Sequence, residues 1–204
     1  MAFLAPCGVY AEALSEIAWQ AAQLAKPEGD ASLGQSLYEE RGCAACHGAQ
    51  GIPDNREWPV LAGQRSLYVY KMLLDYRDKR VGGTDAELMA GVAAGLSEQE
   101  MAHLAAWLGS LRRPSASGVT EVSPPILRGD RSRLIPPCEA CHGANGQGWD
   151  LQPALAGQSR TFLSAVLLRF KNGERANDIN GGMGQFARKL TDDEIRMLSI
   201  YYGR

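Results

Sequence analysis

Two Cys-x-x-Cys-His segments, Cys43-Ala44-Ala45-Cys46-His47 and Cys138-Glu139-Ala140-Cys141-His142, lie 95 residues apart in a chain of 204 residues. This is the attachment signature of c-type haem: two thiols add across the vinyl groups, and the adjacent histidine reaches the iron as proximal ligand. Two copies imply two covalently attached haem c groups, and two haems in so short a chain imply electron transfer. Two Cys-x-x-Cys pairs are also the spacing of a tetrahedral zinc site. That reading does not require a histidine directly after each pair, and the chain holds only three histidines. A thioredoxin-like redox pair is the weaker alternative, because no βαβ pattern surrounds either site.

The sixth iron position decides whether such a haem is a carrier or an open reactive site. An internal repeat selects among the six methionines. Leu61-Ala62-Gly63-Gln64 recurs as Leu155-Ala156-Gly157-Gln158, and Tyr68, Tyr76, Leu96-Ser97 and Trp107 match Phe162, Phe170, Leu190-Thr191 and Tyr201. Gly34 and Gly129 each precede the first haem cysteine by nine residues. In this register Met72, Met101 and Met197 face Val166, Ile195 and His103, so they read as helix core or surface. Met89 and Met183 match each other and are the candidate iron ligands, expected on loops eight residues before the cap of a last helix. Pro59 and Pro153 follow the proximal histidines by twelve and eleven residues. A backbone carbonyl there can accept the histidine Nδ1–H and raise ligand basicity. His103 reads as a surface residue.

Helices must position these groups. A first helix is expected from about Leu33 into Cys43. A second, Ser66 to about Lys79, carries Leu67, Tyr70, Leu73 and Leu74 at helical spacing. A third opens at Ser97-Glu98-Gln99-Glu100, a capping box, and its copy opens at Thr191-Asp192-Asp193-Glu194. Residues 112–125 are rich in Pro, Ser and Gly and read as an extended linker. The expected fold is all-α: two tandem domains produced by internal duplication, 32–112 and 127–204, joined by 113–126 and preceded by a 1–31 extension.

That extension holds the fifth cysteine, Cys7, within an apolar stretch that ends in Ala11-Glu12-Ala13, the pattern of a signal-peptide end. A lipid-anchored Cys7 is the alternative, although Pro6 fits a lipobox poorly; an ordinary extension is the plain one. An amphipathic helix near Ala11–Lys26 is expected to pack on the first domain. No apolar run reaches the roughly 18 residues that span a bilayer. The net charge of −2 favours neither nucleic acid nor an acidic substrate. Residues 32–111 hold seven basic and ten acidic side chains, a formal −3; residues 128–204 hold eleven and eight, a formal +3. Such an electrostatic dipole would steer each end to a different partner.

Cys-x-x-Cys-His-Gly twice, Pro-x-Leu-Ala-Gly-Gln twice, and Met followed eight residues later by Ser/Thr-x-x-Glu twice make residues 32–204 resemble the dihaem class I cytochromes c of the cytochrome c4 type. The resemblance implies two tandem class I cytochrome c domains related by a pseudo-twofold, two His/Met haems held at His47 with Met89 and His142 with Met183, and a periplasmic electron carrier. Its expected partners are a dehydrogenase donor and an oxidase or other acceptor, with loose membrane association only through them. Cytochrome subunits of sulfide-oxidising flavocytochromes and the carrier partners of thiosulfate dehydrogenases are similar. A haem subunit or a dihaem enzyme of sulfur-compound dehydrogenase or peroxidase type is the alternative function.

Overall fold

A computed structural model describes residues 25–116 and 123–204, and no strand occurs among them. The signal-like stretch with Cys7 and almost all of the expected Ala11–Lys26 helix lie outside the described residues, as does part of the linker. The first half runs α1 (Ala31–Glu40), α2 (Ala44–His47), α3 (Ser66–Arg77), α4 (Thr84–Ala94) and α5 (Glu98–Ser110). The second runs from a 3-10 turn (Pro125–Arg128) to α6 (Glu139–His142), α7 (Arg160–Asn172), a second 3-10 turn (Ile179–Gly181), α8 (Gly182–Ala187) and α9 (Asp192–Tyr202).

Local chemistry sets the boundaries. The Asp30 side chain caps α1 by accepting the Ser32 and Leu33 N–H groups at 2.7 and 3.1 Å. The helix ends before Gly42, whose φ of +69° favours glycine, and so falls short of Cys43. Both expected capping boxes form: Ser97 with Glu100 on α5, and Thr191 with Glu194 on α9. Each box glutamate also reaches an arginine from the segment ahead of its own haem motif, Glu100 to Arg41 at 2.5 Å and Glu194 to Arg133 at 2.6 Å.

Two apolar cores form, one per half. Tyr38 of α1 packs on Trp107 of α5 with ring centroids 4.5 Å apart, and Met101, Leu104 and Leu108 fill the space against α3. The second core gathers Ile126, Leu163, Leu190, Ile195, Leu198 and Tyr202. Met101 is fully buried and Met72 nearly so, as their register implied.

Two expectations need correction, and the duplication breaks down in one element. The second half has no counterpart of α1. The aligned stretch is broken at Gly129, whose φ of +75° is not helical, and it forms the 3-10 turn and an isolated Asp130–Ile135 bridge instead. Gly34 lets α1 approach the α5 backbone at His103, whereas Gly129 sits at φ +75° after the 3-10 turn. Met89 and Met183 are not on loops. Met89 lies in α4 and Met183 in the short α8. The α4 sequence spreads Ala, Leu, Met and Val around the helix and gives no apolar stripe to read. His103, expected at the surface, is half-buried; its Nδ1 accepts the Asp30 N–H at 2.8 Å and so steadies the α1 cap.

Candidate functional site

Each Cys-x-x-Cys-His segment forms a single helical turn, α2 or α6, closed by a glycine at positive φ: Gly48 at +74° and Gly143 at +77°. The turn places the second cysteine and the histidine on adjacent helical positions after the first cysteine. Cys43, Cys46 and Cys138 are half-buried and Cys141 is exposed. Burial raises the Cys43 and Cys138 thiols above their usual range, so both are neutral thiols until they react.

The second half shows the site in full. Cys138, Cys141, His142 and Met183 line one cavity of about 260 Å³. His142 is 7% exposed. Its Nδ1 lies 3.0 Å from the Pro153 carbonyl oxygen. Burial holds its pKa below the ordinary value and the Pro153 carbonyl offsets part of that, so the ring is neutral at pH 7. With Nδ1–H engaged, Nε2 is the free lone pair, as iron ligation requires. Leu155, Leu163, Phe170 and Leu198 make the cavity largely apolar, and Tyr68, Lys71, Arg175 and Asn177 supply a polar wall. An apolar ring with an acidic edge fits this lining.

The first half repeats the parts with a looser closure. His47 Nδ1 is buried and faces the Pro59 carbonyl, without the close hydrogen bond that His142 makes. Burial lowers its pKa also, with Pro59 as the counter-effect. An otherwise orphaned buried nitrogen beside a carbonyl fits a histidine to be fixed by a metal on its other face. Met89 is half-buried on α4, which packs on α3. The structure therefore gathers His142, Met183 and Pro153 with both cysteines at one cavity. It pairs His47 with Pro59 beside Cys43 and Cys46, whereas Met89 stands on α4, which packs on α3.

Several residues at the junction of the halves carried no role in the sequence reading. Lys71 and Asp75, one turn apart on α3, form an ion pair with 3% and 0% side-chain exposure. Asn177 from the second half donates to Asp75 at 2.6 Å and accepts from Lys71 at 2.5 Å through its carbonyl. Arg175 donates to Asn177 and to the Tyr68 hydroxyl at 2.8 and 3.1 Å. Neither Lys71 nor Arg175 has a like residue at its repeat position, Ala165 and Val81, so no pattern marks them. Arg113, read as linker, is instead a half-buried tie: it donates to Ala62 of the first half at 3.1 Å, and to Ala154 and Ala156 of the second at 2.9 and 2.5 Å. Burial pushes its pKa down to about 10, and it stays charged at neutral pH. Gln64 and Gln158 are buried at the same junction. Their signal was present in sequence, since both stand in the repeated Leu-Ala-Gly-Gln.

The cytochrome c family matches residues 31–112. The chain is 37% identical to the thiosulfate dehydrogenase electron acceptor of Stutzerimonas stutzeri (strain A1501), over 91% of this chain and 92% of that protein. It is 35% identical to cytochrome c4 of Thiocapsa roseopersicina, over 88% and 95%. The crystal structure of reduced recombinant cytochrome c4 from Pseudomonas stutzeri superposes with a TM-score of 0.77 at 30% identity, covering 85% of this chain and 97% of that one.

Proposed function

The chain belongs to the dihaem cytochromes c of the cytochrome c4 kind, and from that membership we propose that it works in the periplasm, passing electrons from a dehydrogenase to an oxidase or other acceptor. It is an electron-transfer protein with covalently bound haem c at its two Cys-x-x-Cys-His motifs. The haem iron, when bound, supplies a one-electron couple whose potential follows its axial ligands and burial. The chain's own residues do the rest. Cys43 and Cys46, and Cys138 and Cys141, hold the two groups. His47 and His142 are the proximal ligands, with Pro59 and Pro153 orienting them. Met89 and Met183 are the distal ligands. The apolar lining keeps water from the second site. Domains at 32–112 and 127–204, with 113–126 between them, complete the reading; two separate apolar cores support the division, and Ile126 at the end of the connecting segment packs in the second core.

The observation that carries this reading is the convergence of Cys138, Cys141, His142 and Met183 on one cavity. Its test is the visible spectrum of the oxidised and reduced holoprotein. Two haems per chain, the weak near-infrared-edge band of Met–iron(III) bonding, and no response to carbon monoxide are expected. Met89→Ala and Met183→Ala should each remove about half of that band and open one iron to carbon monoxide. Wild-type protein that already binds carbon monoxide would overturn the ligand assignment.

A fixed haem subunit is the second reading, favoured by the likeness to a thiosulfate dehydrogenase electron acceptor. The donor in that case is a thiosulfate-oxidising dehydrogenase. Purification of the native protein from its source separates the two: a subunit leaves the column with a catalytic partner, a free carrier leaves alone. The periplasmic reading also rests on the Cys-x-x-Cys-His motifs, and no helix among the described residues is long and apolar enough to cross a membrane.

A further inference from the structure

The glutamines of the two Leu-Ala-Gly-Gln segments grip each other's halves reciprocally. Gln158 Oε1 accepts the Val60 N–H at 2.6 Å, and its Nε2 donates to the Val60 carbonyl at 3.0 Å. Gln64 does the same to Ala154, at 2.7 and 3.1 Å. Gln64 and Gln158 are 6% and 3% exposed, so neither bond competes with bulk water. The peptide units they seize are particular ones. The Val60 N–H shares its peptide plane with the Pro59 carbonyl, and the Ala154 N–H shares its plane with the Pro153 carbonyl. Both bonds are trans, so N–H and C=O point in opposite directions. Each plane therefore has a glutamine on one edge and a haem-motif histidine on the other. One relay runs Gln64 Oε1, peptide 153–154, His142 Nδ1. Its copy runs Gln158 Oε1, peptide 59–60, His47 Nδ1.

We propose that Gln64 and Gln158 are positioning residues that act in trans, each setting the proximal hydrogen bond of the iron ligand in the opposite half. Hydrogen bonds in series polarise one another. An acceptor on the peptide N–H strengthens the carbonyl as acceptor for Nδ1–H, and a stronger bond there makes the histidine a more basic ligand. A more basic ligand favours the oxidised iron. Loss of a glutamine thus raises the reduction potential of the other half's haem. The His142 relay closes at 3.0 Å, whereas His47 only faces Pro59, so Gln64 has the larger effect. Arg113 also donates to the Ala154 carbonyl, but that oxygen belongs to the next peptide and lies outside the relay.

This inference rests on the proposed ligation by His47 and His142, and its test separates the two. Gln64→Met and Gln158→Met holoproteins keep side-chain length and remove the amide. Potentials are measured by redox titration with each step assigned to a half by its haem-methyl resonances, and the histidine Nδ1–H resonances are followed in the reduced protein. Gln64→Met should raise the second haem's potential, by up to about tenfold in the one-electron equilibrium or about 59 mV. It should move the His142 Nδ1–H resonance upfield and leave His47 unmoved. Gln158→Met should do the converse, more weakly. Arg113→Met loosens the same junction without entering a relay, and should shift neither resonance. If Gln64→Met does not accumulate, Gln64→Glu keeps an acceptor on the N–H and makes it stronger; it should lower the second haem's potential. Potentials that stay unmoved, that move in the glutamine's own half, or that move equally with Arg113→Met would overturn the proposal while the Met–iron band stays intact. Loss of that band in wild type would instead count against the ligation itself.

Discussion

A histidine one position after two cysteines carries chemistry only if its ring is neutral and held. In the second half both conditions are visible, through burial and through the Pro153 carbonyl. The same logic governs the charged residues at the junction. Lys71 and Asp75 are buried together, with burial lowering the Lys71 pKa and Asp75 opposing the shift. Removing one member of such a pair strands the other charge in an apolar setting, which costs about 3–5 kcal/mol. Asp75→Ala should therefore lower unfolding stability by that amount in denaturant titration. Replacing both with apolar residues of similar size should restore most of it.

At the scale of helices, capping explains why α5 and α9 begin where they do. Thr191→Ala removes the side-chain acceptor of the Glu194 N–H and should cost about 1 kcal/mol of stability, read as a lowered denaturation midpoint of the holoprotein. The box glutamates also set a pH limit. Hydrogen bonds from the Ser97 backbone and hydroxyl hold Glu100 below the usual carboxylate range, and the Arg133 guanidinium leads the same effect on Glu194. A carboxylate depressed in the folded state contributes stability that is fully present above its unfolded pKa and is lost as pH falls through the folded one. The melting temperature should hold between about pH 5 and 7 and decline below about pH 4. In Glu100→Gln with Glu194→Gln the decline should be shallower.

The whole molecule is a duplication that kept its hydrogen bonds as well as its letters. Gly63 N–H donates to the Leu108 carbonyl and Gly157 N–H to the Tyr202 carbonyl, both at 2.8 Å. Both glycines need positive φ, +61° and +72°, and a Cβ on either would strike the linker at Arg113 or Pro114. The linker thus packs into the junction at its first residues. The halves differ in formal charge, −3 for 32–111 against +3 for 128–204. Docking of a redox partner to one end should then weaken with salt, since exposed charges are screened within about 10 Å at 0.1 M. Electron-transfer rates measured with donor and acceptor across ionic strength should fall for both. Flat rates would mean that the charge difference forms no steering surface.

Spacing alone determined the haem motifs, the duplication and the helix starts at Ser97 and Thr191, because these depend on covalent order and short-range backbone chemistry; it also singled out Met89 and Met183 as the two methionines that keep the repeat register. The α4 helix was illegible, since its apolar residues surround the axis and leave no periodic face. The missing first helix of the second half was hidden because the register from Gly129 to Cys138 survives although the backbone between them is different. What only the tertiary structure decided is which groups meet across the junction. Gln64 meets Ala154, Gln158 meets Val60, and Asn177 meets Lys71 and Asp75. These contacts join residues about 90 to 106 positions apart. Their partners are mostly backbone groups, which no side-chain pattern records.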